Sequence, residues 1–253
     1  MAIRVIRPGL STTVQDLGRP GYYHLGIPMS GGMDRFALIA ANYLVGNEQG
    51  AAVLETVFMG PELEFLDRAT VAVTGAELPP KVNGRPVGTW TSFTVASGDV
   101  LSFDFLTHGA RAYIAVSGGI DVPIVLGSRS TYTLGALGGF KGRKLESGDK
   151  LEVDNGTKAG RRVPEELRHL PGPAAELRMM PGLYWHRITA QSGKQFLEDV
   201  WKVAPEADRI GYRFKGGRSL EFNARTQPFG AGSDPSNIVD ACYPYVVGFQ
   251  QRF

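Results

Sequence analysis

Glycine constrains this chain more than any other residue. Its 33 glycines recur between short runs rich in Val, Thr, Phe, Tyr and Ile. Examples are AVLETVFMG at 52–60, ATVAVTGA at 69–76, SFTVASGDVLSFDF at 92–105 and ARAYIAVSGG at 110–119. β-Branched and aromatic side chains suit a pleated, half-buried backbone, and glycine supplies the positive φ that tight turns require. The pattern predicts a mainly β protein of antiparallel strands joined by short turns. Val71 and Val73 are expected to share one sheet face, and Tyr113 and Ala115 another. One echo sharpens the expectation: VASGDVLSF (95–103) and LESGDKLEV (145–153) repeat Ser-Gly-Asp-x-Leu, each reading as a turn that feeds a strand.

Two helices are predicted. Residues 34–45, DRFALIAANYLV, place Phe36, Ile39, Ala40, Tyr43 and Leu44 along one face, with Gly46 and Asn47 as the stop. Residues 192–202, SGKQFLEDVWK, carry Phe196, Leu197 and Val200 on a stripe beside Trp201. Residues 154–176 are polar, proline-bearing and aperiodic. The domain reading is therefore an N-terminal lobe over 1–155, a linker over 156–176 and a C-terminal lobe over 177–253. The last residues, VVGFQQRF, end just as a further strand is expected, so the second lobe is expected to be C-terminally incomplete.

Composition removes several function classes. At 253 residues, with 43% hydrophobic and 21% charged content, the chain can bury a substantial core. No stretch approaches the roughly 18 apolar residues of a membrane span, and the N-terminus MAIRVIRPGL lacks a signal pattern, so a cytoplasmic location is expected. A net charge of +2 gives no argument for nucleic acid, and the small basic groups at 141–144 and 160–162 read as solvated loops. The single cysteine, Cys242, excludes an internal disulfide, and the four histidines are too dispersed to suggest a metal.

Three polar, glycine-bearing segments are the candidate chemistry. The first, STTVQDLGRPGYYHLGIPMSGGMDR (11–35), holds Gln15, Asp16, Arg19, His24, Ser30 and Asp34. It reads either as the wall of a site or as a surface loop in which Asp16 pairs with Arg19 and Ser30 or Asp34 caps the helix. The second, SGGIDVPIVLGSRSTY (117–132), gathers Ser130 and Tyr132 around Arg129, whose planar fork suits carboxylate or ureido oxygens. A plain turn, with Arg129 paired to a nearby acid, is the alternative. The third comprises EADRIGYR (206–213), with Arg209 and Tyr212, and RTQPFGAGSDPSNIVD (225–240), with Ser236, Asn237 and Asp240. A long loop is the alternative there. No P-loop, dinucleotide fingerprint or G-x-S-x-G elbow occurs.

TTVQDLGRPGYYHLGIPMSGGMDRFAL, GGIDVPIVLGSRSTY and DRIGYR, in that order, resemble the biotin-dependent carboxyltransferase family, also called the allophanate hydrolase subunit 2 type, the Kip-antagonist type or the C-type subunit of 5-oxoprolinase. The resemblance covers roughly residues 3–245. It implies cyclophilin-like β-barrel lobes, a partner resembling allophanate hydrolase subunit 1, and a biotin carboxylase and carrier, because no Met-Lys-Met attachment motif occurs here. ATP would enter only through partner subunits. The stretch DPSNIVDACYPY (234–245) is similar to the PSNIHD-type stretch of urea carboxylase regions. That favours transfer of a carboxyl group from carboxybiotin to a urea-like nitrogen. The resemblance leaves two other activities open: a component of an ATP-hydrolysing 5-oxoprolinase complex, and a non-catalytic antagonist of a kinase inhibitor. For carboxyl transfer it implies Arg19 and Arg129 at an oxyanion or carboxylate. Asp16, Asn237 and Asp240 would then hold acceptor N–H groups, and His24 and Tyr132 would assist proton movement. Gln15, Ser30, Asp34, Ser130, Arg209, Tyr212 and Ser236 are the expected substrate contacts.

Overall fold

The β-type runs become strands whose alternate side chains serve two different layers. The computed structural model describes residues 1–154, 156, 161–168, 179–182, 185–205, 211–223 and 247–249. The chain divides into two units, Met1–Pro173 and Ala174–Phe253. In the first, the strands are β1 (Ala2–Arg7), β2 (Thr12–Gln15), β3 (Val53–Val57), β4 (Glu62–Phe65), β5 (Ala69–Glu77) and β6 (Pro80–Val82). They continue as β7 (Arg85–Pro86), β8 (Ser92–Val95), β9 (Val100–Phe103), β10 (His108–Val116), β11 (Ile120–Asp121) and β12 (Lys150–Val153). They form a 7-stranded sheet in the order β11-β12-β1-β4-β9-β6-β7 and a 5-stranded sheet in the order β2-β3-β10-β5-β8. All described pairings are antiparallel. The expected β lobe is thus two open sheets around one core.

That core takes Ile3, Val5, Leu63, Phe65, Leu101 and Leu151 from the first sheet and Val71, Val73, Ile114 and Val116 from the second. The intervening residues Ala72, Tyr113 and Ala115 face the other way, into a second cluster with α1 (Arg35–Val45). The period-two expectation for both residue pairs therefore holds. Asp34 caps α1 through Oδ1, which accepts from the Ala37 N–H at 2.9 Å, and Gly46 ends it.

The buried face of α1 differs from the expected one. Ala37, Leu38, Ala41, Leu44 and Val45 are buried, whereas Tyr43 is exposed and Phe36 and Ile39 are half-buried. Small alanines let the helix lie close on Ala72 and Ala115. Phe36 and Ile39 pack half-buried at the margin of this cluster, Phe36 lying 6.1 Å from the Trp90 ring, and only Tyr43 turns outward, where Arg161 stacks over its ring at 4.8 Å. Residues 161–163, within the segment read as linker, dock on this unit, with Val163 buried and Thr91 bridged to Arg162.

The two Ser-Gly-Asp copies are structurally equivalent. Asp99 Oδ2 accepts from the Ala96 N–H at 2.7 Å, and Asp149 Oδ2 from the Glu146 N–H at 2.8 Å. Ser97 donates to the Leu66 carbonyl at 2.7 Å, and Ser147 to the Ile6 carbonyl at 2.6 Å. Gly98 N–H reaches Phe65 O at 2.7 Å, and Gly148 N–H reaches Val5 O at 2.8 Å. Because β1 pairs antiparallel with β4 through Arg4 and Glu64, an approximate two-fold axis there exchanges β1 with β4 and β12 with β9. Gly98 and Gly148 have φ of 87° and 89°, a region that a Cβ disfavours.

In the second unit, α2 (Ala190–Glu198) begins at Thr189, whose hydroxyl accepts from the Ser192 N–H at 3.2 Å. It ends before Trp201, so the predicted helix over 192–202 is shifted toward the N-terminus. The residues that would have extended it form β14 (Trp201–Val203), which pairs with β15 (Phe214–Gly216). Trp201 is drawn back by its indole N–H bond to Phe196 O at 2.9 Å, and Asp199 is engaged by the Arg218 guanidinium. A further pair joins β13 (Met179–Pro181) to β16 (Val247–Phe249). No helix among the described residues is long and apolar enough to cross a membrane.

The Arg143 side chain, followed by burial and the Glu146 N–H, shifts Asp149, with a net lowering of its carboxyl below the ordinary value of 3.8. A depressed carboxyl stabilises the fold above its ordinary value, and that contribution disappears as pH falls through the depressed one. Asp149→Asn is therefore expected to flatten the acid limb of a urea-denaturation pH profile below about pH 4. Gly148→Ala is expected to cost about 1 kcal/mol at neutral pH in the same assay.

Candidate functional site

The edge of the smaller sheet is where distant parts of the chain meet. β2 pairs with β3 on one side only, and its other side is covered by the second polar segment. The Thr131 N–H and hydroxyl both reach the Val14 carbonyl at 2.9 Å, and the Asp16 N–H reaches Ser130 Oγ at 3.0 Å. Residues more than a hundred positions apart therefore form one shell.

Asp16 organises that shell. Its Oδ1 accepts from the Gly18 N–H at 2.7 Å, from the Ser128 hydroxyl at 2.7 Å and from the Ser130 hydroxyl. Its Oδ2 accepts from the Arg129 N–H at 2.6 Å. Three donors crowd Oδ1 and one reaches Oδ2, so the carboxylate is engaged through both oxygens. The backbone on either side is tied down as well: Asp16 O accepts from Gly32 N–H at 2.9 Å, and Met29 O from Arg19 N–H at 2.7 Å. These two bonds fasten residues 16–19 against residues 29–32 and leave 20–28 as an excursion.

Arg19 lies inside this shell with 1% of its surface exposed. Its Nη2 donates to the Ser130 carbonyl, its Nε makes a long 3.5 Å contact to Val125 O, and its Nη1 is buried without a partner. Burial pulls the guanidinium pKa below its ordinary value, and the Asp16 charge works in the opposite direction. Gly138 makes the approach possible, because a Cβ there would collide with both Arg19 Nη2 and Ser130 O. Gln15 is held by its Nε2, which donates to Thr13 Oγ1 at 2.9 Å and to Thr131 O at 3.3 Å, while its Oε1 is buried and unpaired. Ser30 adopts φ of 55°, and its Oγ is also buried and unpaired.

The remaining expected site residues separate by geometry. Arg129 donates through Nε to Val122 O at 2.8 Å and pairs with Asp121 at 3.3 Å. Its guanidinium thus follows the turn-with-acid alternative. Ser130 serves the Asp16 shell, and Asp34 is the helix cap. Tyr132 belongs to a tight bridge with Leu137, its ring lying over Gly135. His24 is exposed on a 3-10 turn, Tyr23–Leu25. Tyr212, in the second unit, is 46% exposed, with its ring 6.5 Å from that of Phe214. Arg209, Ser236, Asn237 and Asp240, together with the stretch 234–245, lie outside the described residues.

Sequence reasoning missed Glu55 and Tyr113. Glu55 is 1% exposed and accepts from the Tyr113 hydroxyl at 2.8 Å. An acid inside the apolar run AVLETVF was the available signal, since buried carboxylates are rare without partners. Among the described residues, no group of three or more His, Cys, Asp or Glu side chains is placed to hold a metal ion.

Both the sequence and the fold of this chain are shared with a known group. Residues 25–249 match the family described as carboxyltransferase domain, subdomain A and B, and the chain belongs to that family. It is 35% identical over 214 residues to the C-type subunit of 5-oxoprolinase from Escherichia coli, a match covering 85% of this chain and 68% of that protein. It is 34% identical over 264 residues to urea amidolyase of Lachancea kluyveri, covering 96% of this chain but 14% of that one. The crystal structure of Kluyveromyces lactis urea carboxylase superimposes with a TM-score of 0.79 at 33% identity, over 87% of this chain and 21% of that chain.

Asp16→Ala would strip four donors of their acceptor, and each buried orphan costs about 1–3 kcal/mol. The expected loss is at least about 3 kcal/mol in urea denaturation. Asp121→Ala removes a half-exposed partner of Arg129 and should cost less than about 1 kcal/mol in the same measurement.

Proposed function

We propose that this chain is a carboxyltransferase subunit that handles an amide-like or ureido group beside Gln15, Arg19 and Ser30. The observation that carries this reading is that three of the four unpaired buried side-chain polar atoms among the described residues lie within residues 15–30. Arg19 Nη1 is a donor, Gln15 Oε1 an acceptor, and Ser30 Oγ can be either. Buried polar atoms without partners are uncommon, and a ligand carrying a carbonyl oxygen next to an N–H answers all of these demands. Biotin's ureido ring has that pattern, as do urea and other amides, so the residues present fit the cofactor that the family resemblance implies. When bound, biotin supplies the carboxyl group that is transferred.

The chain's own residues bind, orient and exclude water. Arg19 Nη1 would donate to an oxygen on which negative charge develops, in surroundings where such a bond is stronger than in water. Gln15 Oε1 would accept an N–H and fix which edge of the ligand faces Arg19. Ser30 Oγ would complete the set. Asp16 would act on the ligand through the residues it holds, since its carboxylate already accepts four bonds. The acceptor nitrogen we assign is urea-like, and the partners would be a subunit 1-like protein together with a biotin carboxylase and carrier that bring ATP-dependent carboxylation.

A second reading, the C-type component of an ATP-hydrolysing 5-oxoprolinase, has its own support: the relative of that name is matched over 68% of its length. A lactam also pairs a carbonyl with an N–H. Reconstitution with the subunit 1-like partner and a carboxylated biotin carrier separates the two. Acceptor-dependent loss of the carboxyl group with urea, abolished by avidin, is the expected outcome. Avidin-insensitive ATP cleavage with 5-oxoproline would move the assignment to the second reading. Stoichiometric binding of a kinase inhibitor without turnover would replace both. In the active mixture, Arg19→Lys should lower kcat by about 10²–10³-fold, as loss of an oriented donor does, whereas Arg129→Lys should change it by less than about tenfold.

A further inference from the structure

Ser30 has an unfavourable backbone, and something must hold it there. A non-glycine residue in the left-handed region persists only where its surroundings over-determine it. The segment that follows Ser30 is anchored by three successive backbone donors. Gly32 N–H reaches Asp16 O at 2.9 Å, Met33 N–H reaches Glu55 Oε2 at 2.8 Å, and Asp34 N–H reaches the Tyr113 hydroxyl oxygen at 2.7 Å. That hydroxyl in turn donates to Glu55 Oε2 at 2.8 Å. The two side chains that receive this segment are among the most buried in the molecule, with Glu55 1% and Tyr113 0% exposed.

The strand register explains why they meet there. Thr13 pairs with Glu55, Glu55 with Tyr113 and Tyr113 with Thr74, so four polar side chains stand abreast on β2, β3, β10 and β5. Opposed residues of an antiparallel pair share a face, and this row lies on the face that carries α1. Thr74 donates to the Ala37 carbonyl at 2.7 Å, and Thr13 accepts from Gln15 Nε2. Ala72 and Ala115, one row along, are apolar. Burying a carboxylate costs several kcal/mol unless it is well bonded, and an apolar row would have packed α1 equally well. The polar row therefore does something that packing alone does not require.

We propose that Glu55 and Tyr113 are positioning residues that fix the segment 30–34 and so place Ser30 Oγ in the ligand-binding set with Gln15 and Arg19. This rests on the reading of that set as a ligand site. Tyr113 suits the role, because burial and the neighbouring Glu55 charge raise its pKa well above the ordinary value and keep its proton available for the bond to Glu55. Neither residue touches the ligand. Both act through Ser30.

The test is a double-mutant cycle on the full chain with its partner, using biotin as the probe and measuring Kd by calorimetry. Tyr113→Phe and Glu55→Gln are each expected to weaken biotin binding by about tenfold. The same changes in a Ser30→Ala background should add little further, because the residue they act through has lost its hydroxyl. Full, additive weakening in that background would overturn the proposal. Amide exchange is read in parallel. Faster exchange at Met33 and Asp34 in either variant is expected, and unchanged exchange in both overturns the positioning role whether or not biotin binds. If exchange accelerates but the wild-type chain binds no biotin, the ligand reading of the site fails and the anchoring of the segment stands. Tyr113→Phe keeps the ring that packs under α1, so it remains informative if Glu55→Gln does not fold.

Discussion

The Asp16 carboxylate is the interaction on which the site depends. It joins a loop near the N-terminus to residues 112 to 114 positions later. Closing so long a loop costs conformational entropy, and one weak contact would not hold it closed. Three charge-assisted bonds from one largely buried carboxylate, to Ser128, Arg129 and Ser130, can do so. The consequence reaches beyond the loop. The Ser130 and Thr131 carbonyls are placed by this closure, and they in turn receive Arg19 Nη2 and Gln15 Nε2. Asp16 therefore decides where the unpaired ends of those two side chains point.

The sheets divide the remaining labour. The larger sheet is built on a near two-fold repeat, in which two Ser-Gly-Asp turns dock along β1 and β4 by equivalent serine and glycine bonds. Its inward face is apolar, and its turns fix the register of that face. The smaller sheet has two inequivalent faces: one completes the shared core, and the other carries a polar row under the start of α1. Two-residue alternation makes that possible without disturbing the core, since Ile114 and Tyr113 are neighbours in sequence but point to opposite layers. A protein with only the apolar function for that face would place the helix equally well but leave the preceding segment untethered.

Much of the fold was readable because each signal was local. Asp34 and Gly46 bound α1, and the Ser-Gly-Asp echo announced two equivalent turns, since capping and turn chemistry act over a few residues. What failed was non-local. Phe36 and Ile39 of α1 reach only the margin of the core and Tyr43 stays outside it, because alanines take the closest approach to Ala72 and Ala115 far along the chain. The end of α2 was set by Trp201 and Asp199 finding partners elsewhere. At the site, Arg19 and Arg129 are alike as residue types within similar glycine-bearing segments. The acids and carbonyls that engage Arg129 and leave Arg19 with a vacant donor are properties of the folded chain alone.

That difference between the two arginines also bears on what the shell can bind. Arg19 is buried in the shell that Asp16 organises, and the Asp16 charge acts on its guanidinium. A fully formed anion entering such a place would lose its hydration and meet Asp16 as well as Arg19, a poor exchange. A neutral ligand with a strong dipole faces no such penalty. Its oxygen can meet the vacant Arg19 donor and its N–H the vacant Gln15 acceptor, and neither must be stripped of counter-ions first. If charge then develops on that oxygen during reaction, the donor is already oriented and gains strength without reorganising. A buried but incompletely bonded arginine close to an acid is thus better suited to a ureido or amide group on its way to bearing charge than to a phosphate or a free carboxylate.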